Sequence, residues 1–304
     1  MIENLLNNSD IQIMLVGAMV GIASSAVGTF LVLRGNSMLS DAISHSIVFG
    51  IVIVWMLTQQ QSGSLQLFGA AITGLLTVVL TEALASTKRV KQDAAIGLVF
   101  PALFSIGVLL LNIYAHDVHI DTHTILLGEI GFVWLDTVSI GGWNVPQALV
   151  TMSIMTTLNY GFIFVFYKEL KLSTFDPALA KAFGFMPSVL FYALLMLTSA
   201  TAVAAFDAVG AVLFIAFAIV PASVAYLLTD RLWMMFMIGA LVSIFSSISG
   251  FYLAVHLNVS IGGMMAVMTG ACLLLAFLAG PRYGLATQMI KRHRGRHAPY
   301  ESPH

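Results

Sequence analysis

The chain has 304 residues, of which 59% are hydrophobic and only 9% are charged, and its mean hydropathy is +0.95. A soluble globular domain carries about 25% charged residues, so these values exclude a water-soluble fold. They leave an all-α polytopic membrane protein, because a bilayer admits few other structures. The net charge of −1 argues against nucleic acid as a partner, and the single Cys272 excludes a disulfide framework.

Nine apolar runs are long enough to be transmembrane helices. In chain order they are 11–33, 38–57, 65–86, 94–112, 147–167, 187–204, 208–228, 232–253 and 261–279. The two runs on either side of Asp207 lie close together, so a different count is open at that point. We expect one transmembrane permease domain over residues 1–282, followed by a basic cytoplasmic tail over 283–304.

The basic residues predict the orientation of this nine-span map. All 13 Lys and Arg residues fall on one side of it, whereas the connections on the other side carry none. Cytoplasmic connections of membrane proteins are enriched in Lys and Arg. The sequence therefore predicts that the N-terminus lies outside and the C-terminus lies in the cytoplasm.

Asp41 and His45 lie four residues apart in the second run, so a helix places both side chains on one face. A carboxylate at the bilayer centre costs about 2.5–3.5 kcal/mol on insertion scales. We therefore favour a cation site over the alternative, an Asp–His hydrogen bond that holds helices together. Two ligands are too few for a divalent ion, but a symmetric dimer would supply four. Carboxylate and imidazole suit Mn, Zn or Fe(II), and the absence of thiolate argues against Cu(I).

The depth of this pair is left open by the sequence. The second run starts on the cytoplasmic side, which places Asp41 about one helical turn into the membrane. A position near the middle of the membrane would require the connection 35–38 to dip inward.

The connection 168–186 predicts a short cytoplasmic helix over residues 175–184. Asp176 or Thr174 can cap its start, Pro177 fits its first turn, and Gly184 can end it. Three apolar side chains recur at a spacing of four, namely Phe175, Leu179 and Phe183. This one-sided face fits docking into a groove of another protein and ordinary packing equally well.

The outer connection 113–146 carries a dense group of metal-ligand side chains, which are His116, Asp117, His119, Asp121 and His123. Their spacing does not follow a strict metal-binding pattern. They could form a metal site, attract cations electrostatically, contact a delivery protein, or belong to a solvated polar loop.

Five segments in order resemble the permeases of metal-ion ABC importers, the branch that takes up manganese, zinc or iron. They are GTFLVLR (28–34) with SMLSDAISHS (37–46), DAAIGLVF (93–100), LLGEI (126–130), FDPALA (175–180), and VGAVL (209–213) leading to VPA (220–222). Together they span nearly the whole membrane part, about 17–279. One departure is Gly35-Asn36, where the family pattern has a second basic residue after Arg34.

The resemblance implies a pair of permease subunits, as a homodimer or alternatively a heterodimer, with a cytoplasmic ATPase dimer and an extracytoplasmic metal-binding protein. Asp41 and His45 are then the expected metal ligands. The short helix would be the coupling helix that docks on the ATPase. Its expected contact residues are Phe175, Asp176, Pro177, Ala178, Leu179, Lys181, Phe183 and Gly184.

The expected function is import of a divalent metal by alternating access in the bacterial cytoplasmic membrane. The His-rich outer stretch, 115–123, resembles the manganese and iron members of the family more than the zinc members. The expected cargo is Mn(II), with Zn or Fe as alternatives. The chain lacks a GxxxxGK[ST] phosphate loop, so we expect a transport subunit and not an enzyme, with ATP on the partner and no permanently bound cofactor. The alternative class is an ion-coupled secondary carrier, but the inverted repeats frequent in such carriers are not seen.

Overall fold

The computed structural model describes residues 8–59, 64–114, 130–140, 143–280 and 284, and this part of the chain is almost entirely helical. The helices are α1 (Ser9–Leu33), α2 (Met38–Thr58), α3 (Ser64–Ser86), α4 (Gln92–Tyr114), α5 (Gln147–Val165), α6 (Tyr167–Phe175), α7 (Pro177–Ala182), α8 (Pro187–Leu228), α9 (Leu232–Leu257) and α10 (Ile261–Ala279). The predicted all-α fold is confirmed.

A small irregular unit precedes α5. It consists of a 3₁₀ turn, Ile130–Phe132, and a two-stranded antiparallel hairpin of β1 (Thr137–Ile140) and β2 (Trp143–Pro146). The sequence reasoning did not predict this hairpin, which lies in the connection 113–146.

Eight described segments are long and apolar enough to cross a membrane, and they correspond to eight of the nine predicted runs. The remaining run, 65–86, falls on α3, in which the described apolar part is the shorter Ala71–Ser86. An apolar run in a bilayer must satisfy its backbone hydrogen bonds internally, which explains why hydropathy alone located these helices.

Helix α8 contains two of these segments, Pro187–Phe206 and Ala208–Leu228. Its backbone leaves the helical conformation at Gly210, where φ is 73° and ψ is 170°. The rings of Phe206 and Phe214 lie 5.7 Å apart, whereas eight residues of straight helix advance about 12 Å. The chain therefore bends sharply at this point, and the two apolar runs are separate helices.

Helix α1 is the most buried of the candidate spans and packs against α5, α8 and α9. Three glycines face these neighbours, namely Gly17, Gly21 and Gly28; we call them the glycine face of α1. A Cβ atom at the first would lie 2.6 Å from Ser247 Oγ, and one at the second 2.5 Å from Ser243 Cβ. The glycines thus let the helices approach closely, as small residues do in membrane proteins.

Buried polar side chains join neighbouring helices, among them Asn159 and Thr77. Asn159 on α5 donates from Nδ2 to the Ala23 carbonyl on α1, at 3.1 Å, and to Thr201 Oγ1 on α8, at 2.9 Å. Thr77 on α3 donates to Ser46 Oγ on α2 at 2.6 Å. Ser46 directly follows His45, so its bond with Thr77 fixes the part of α2 that carries His45 against α3.

Candidate metal-ion site and coupling segment

Helix α2 carries both members of the candidate metal pair. It begins at Met38, so Asp41 lies in its first turn, where a carboxylate interacts favourably with the positive end of the helix dipole. At 1.5 Å per residue, Asp41 and His45 lie about 5 and 11 Å from the start of the helix. Asp41 therefore lies about one helical turn from the start of α2.

The two side chains are close but only loosely paired. His45 Nε2 lies 3.4 Å from Asp41 Oδ1, and the two side chains are 33% and 38% exposed, respectively. A strong hydrogen bond between such groups would be nearer 2.8 Å. Because both residues lie on α2, their contact cannot join two helices. The carboxylate has several lone pairs and a neutral imidazole has one, so both side chains can serve as metal ligands.

Two aromatic rings of α4 hold the imidazole in place. The Phe100 ring stacks on His45 with centroids 5.7 Å apart and an interplanar angle of 28°. Phe104 meets the same imidazole nearly edge-on, at 6.2 Å and 78°. These contacts limit rotation of the ring while its nitrogen reaches toward Asp41.

Within the described residues, no third His, Cys, Asp or Glu joins this pair to complete a metal site. The predicted outer group of His116, Asp117, His119, Asp121 and His123 lies outside the described residues, as does the tail 285–304. The described part of one chain therefore presents two metal ligands and needs donors from elsewhere.

The predicted short helix, 175–184, is present as the shorter α7, Pro177–Ala182. The backbone of Asp176 is not helical, so Phe175 belongs to the preceding helix and Phe183 follows the end of α7. Asp176 Oδ1 accepts a hydrogen bond from the Leu179 N–H at 2.9 Å, and Pro177 occupies the first turn. The helix ends at Ala182, and Gly184, two residues further on, has a φ of +83°. The N–H of Gly184 donates to the Lys181 carbonyl at 3.0 Å, which is one of the bonds of a glycine-terminated helix end. Of the two predicted caps, Asp176 is the one used.

The structure also shows a helix that the sequence reasoning missed. Helix α6, Tyr167–Phe175, leads into α7 with only Asp176 between them. Leu170 is fully buried and Ser173 is 1% exposed, so α6 packs against the rest of the protein. We call α6, α7 and the turn to Gly184 the coupling segment, after its predicted role.

The apolar face of the coupling segment points away from the protein. Phe175, Leu179 and Phe183 are 58%, 44% and 67% exposed, and the neighbouring Ala178 and Lys181 are also exposed. Packing within this chain therefore does not account for these three side chains, which favours docking on another protein.

Arg34 makes contacts that the sequence reasoning did not identify. Its guanidinium donates from Nη2 to Ser173 Oγ at 3.1 Å and from Nε to Thr174 Oγ1 at 3.3 Å. The same group lies 4.6 Å from the centre of the Phe191 ring on α8. Burial lowers the pKa of Arg34, although an arginine stays charged at neutral pH. The nearest of these partners is 139 residues away in the chain, so no local pattern could have revealed them.

The departure at Gly35-Asn36 also has a structural reason. Gly35 has a φ of +70°, a conformation that costs an L-residue energy but not glycine. Its N–H donates to the Val32 carbonyl at 3.1 Å, and the Asn36 N–H donates to the Leu31 carbonyl at 2.8 Å. This is a Schellman end to α1, which turns the chain toward α2 within four residues.

A bundle of apolar helices with a partly exposed acid–imidazole pair, joined to a capped short helix with exposed apolar side chains around it, fits the permease subunit of a membrane transporter. The comparison with protein families agrees. Residues 8–280 match the model of the ABC 3 transport family, and the chain belongs to that family. It is therefore a transport component and not an enzyme, and a multi-pass protein of the bacterial inner membrane.

Known proteins resemble the chain along nearly its whole length. It is 45% identical to the manganese transport system membrane protein MntD of Bacillus subtilis, covering 90% of this chain and 93% of that protein. It is 44% identical to the zinc transport system membrane protein TroD of Treponema pallidum, covering 92% and 76%. The solved structure of PsaBC from Streptococcus pneumoniae in complex with Fab contains a chain with a TM-score of 0.77 and 26% identity, covering 95% and 98%.

Proposed function

We propose that this chain is the membrane subunit of an ATP-driven importer of a divalent transition metal, and that Asp41 and His45 coordinate the ion. The observation that carries the proposal is the pair itself. Two ligands of the type that binds transition metals lie 3.4 Å apart on one helix, both half-exposed. The names of its relatives, which refer to manganese and zinc transport, support the same class of cargo.

A second permease copy supplies the missing ligands in this proposal. Two copies related by a two-fold axis present the same surface to each other, so two carboxylates and two imidazoles would surround one ion. We favour a homodimer, and a heterodimer would serve if its second subunit carries the same two ligands. A metal-ligating histidine must be neutral. Stacking on the Phe100 ring limits rotation of the His45 imidazole, whose Nε2 faces Asp41 on the same helix.

Energy for transport comes from a cytoplasmic ATPase dimer in this proposal. The exposed side chains of Phe175, Leu179 and Phe183 fit a groove on that partner, in the manner of a helix docked by its apolar face. Nucleotide can drive alternating access only if the ATP-bound state of the partner favours one permease conformation. The basic connections, including the one that holds Lys181, lie on the cytoplasmic side, so the N-terminus lies outside.

The cargo is Mn(II) in our proposal, with Zn or Fe as alternatives. Oxygen and imidazole ligands accept all three metals, and the relatives named for manganese and zinc are 45% and 44% identical to the chain. The preference for manganese over zinc comes from the outer stretch 115–123, which resembles the manganese and iron members of the family. That stretch would attract cations delivered by an extracytoplasmic metal-binding protein.

The test is metal uptake by the permease reconstituted with its ATPase and binding protein in liposomes. Mn, Zn and Fe(II) are presented singly, and the variants are Asp41→Asn and His45→Gln. We expect each variant to lose at least about tenfold in uptake, because mutating even the outer-shell partners of metal ligands costs about 10–100-fold. The metal preferred by the wild type names the cargo.

Two matched variants serve as controls for this test. Glu82→Gln removes another carboxylate from a membrane helix, and His256→Gln removes an exposed imidazole from the last turn of α9. Both should transport at close to wild-type rates. Normal uptake by Asp41→Asn and His45→Gln would refute the metal-ligand assignment, and uptake by the wild type without ATP would indicate a secondary carrier.

A further inference from the structure

The turn between α1 and α2 is fixed by contacts on both of its sides. Gly35 and Asn36 close the end of α1 through backbone hydrogen bonds, as described above. The Asn36 side chain also accepts a hydrogen bond from Gln92 Nε2, at the start of α4, at 2.9 Å. Met38 then begins α2. The turn is therefore short and held in place, so a displacement of Arg34 is passed on to the start of α2.

Arg34 connects this turn to the coupling segment. Ser173 accepts the Arg34 Nη2 bond and donates its own hydroxyl to the Leu170 carbonyl at 3.1 Å. Its hydroxyl thus joins the guanidinium to the backbone of α6. Thr174 accepts the second bond, and it lies two residues before Asp176, the cap of α7.

The third contact of Arg34 is with α8, through the face of the Phe191 ring. A guanidinium on an aromatic face is attracted by the ring quadrupole while its edge stays free for hydrogen bonds. Arg34 is the last residue before the turn, and it contacts both α6 and α8. Among the described residues, no carboxylate pairs with this guanidinium within 4 Å.

We infer that Arg34 is a positioning residue that links the coupling segment to α2, the helix that carries the metal pair. Movement of a docked α7 would pass through Thr174 and Ser173 to Arg34, and from there to Asp41 seven residues further along the chain. This inference rests on the proposed function, because it requires that the coupling segment binds the ATPase and that Asp41 binds the metal.

The competing explanation is that Arg34 only anchors the end of α1 at the membrane surface or stabilises the fold. A basic residue at a helix end commonly serves as such an anchor. Under that explanation, any cationic side chain would serve equally well. Loss of the cation would also lower the melting temperature, the uptake and the ATP hydrolysis together.

The experiment compares Arg34→Gln and Arg34→Lys with the wild type in the reconstituted transporter, using Mn(II) as the probe. The uptake rate, the ATP hydrolysis rate and the melting temperature are measured on the same preparations. We expect Arg34→Gln to hydrolyse ATP within about twofold of the wild type while its uptake falls about tenfold, in the usual range of coupling between two sites. The ATP consumed per ion therefore rises about fivefold or more.

Arg34→Lys distinguishes positioning from anchoring. Lysine keeps the charge over Phe191, but it cannot donate in the two fixed directions that reach Ser173 and Thr174. We expect Arg34→Lys to keep the melting temperature of the wild type but to leave the ATP consumed per ion raised. Full restoration of coupling by Arg34→Lys would overturn the inference in favour of anchoring.

Removing the acceptors tests the same link from the other side, and it does not depend on whether Arg34→Gln folds. The double variant Ser173→Ala, Thr174→Val should also raise the ATP consumed per ion. Adding Arg34→Gln to it should raise the ratio no further, because residues that act through one contact are not additive. Independent, additive effects would overturn the inference.

Arg231→Gln is the matched control, since Arg231 is an exposed basic residue in the connection between α8 and α9. It should leave both rates unchanged. Failure of the proposed function is seen separately, as absence of ATP-driven Mn(II), Zn or Fe(II) uptake in the wild type. The inference itself fails if the wild type transports and its Arg34 variants consume no more ATP per ion than the wild type.

Discussion

Replacing Gly28 by alanine should destabilise the protein, because the glycine face of α1 leaves no room for a side chain at this position. An added Cβ would overlap the carbonyl oxygen of Ala218 on α8 and would lie 2.7 Å from its carbonyl carbon. Real Cβ contacts essentially never fall below 3.0 Å. The obstacle is backbone, so no side-chain rotation relieves it, and α1 and α8 must move apart.

Gly161→Ala provides the reference for the size of this effect. Gly161 lies inside α5, and a Cβ there would meet no atom within 4 Å. Both variants gain the same helix propensity, up to about 1 kcal/mol, so this gain cancels in the comparison. What remains is the cost of overpacking, about 1–3 kcal/mol. Large chains lose about 2–4 °C per kcal/mol, so Gly28→Ala should melt about 2–12 °C below Gly161→Ala.

The assay is thermal unfolding of the two detergent-solubilised variants beside the wild type, followed by the monodisperse fraction that survives heating. Equal melting temperatures, or a higher one for Gly28→Ala, would refute the reasoning. That result would mean that α1 and α8 separate at no cost, and the close approach described for the glycine face would then contribute nothing to stability.

Asn159→Leu should destabilise the protein in thermal unfolding by about 0.6 kcal/mol for each lost hydrogen bond, the mean measured between membrane helices, where the maximum is about 1.7 kcal/mol; no change would mean that its bonds to Thr201 and the Ala23 carbonyl contribute nothing. Thr77→Val removes the bond to Ser46 and should cost a similar amount, whereas Thr73→Val, which removes only a bond within α3, should cost less. Gly184→Ala forces a side chain into a φ of +83° and should weaken ATPase binding to the permease by about 1–2 kcal/mol, measured by titration; unchanged affinity would show that the turn after α7 is not needed.

The sequence predicted the features that depend on local patterns. Apolar runs located the helices because backbone polar groups cannot stay unpaired in a bilayer. The spacing of four predicted that Asp41 and His45 share a face, and their side chains do meet. The capping rules predicted that Asp176 starts a helix and that Gly184 ends it, as observed.

Features that depend on contacts between distant residues could not be read from the sequence. Helix α6 has no apolar run, and it is held by burial of Leu170 against other helices. The contact between Arg34 and Ser173 brings together residues 139 positions apart. The bend in α8 occurs at Gly210, one of 25 glycines in the chain, and composition does not distinguish it from the others.

The glycine face of α1 also constrains how this sequence can change over evolutionary time. The Ser243 side chain fills the position that a side chain at Gly21 would need, and the Ser247 side chain does the same at Gly17. A larger residue on α1 would therefore be accepted only together with a smaller one on α9. In an alignment of related permeases, these two pairs should change together, whereas Gly161, which faces open space, should vary independently.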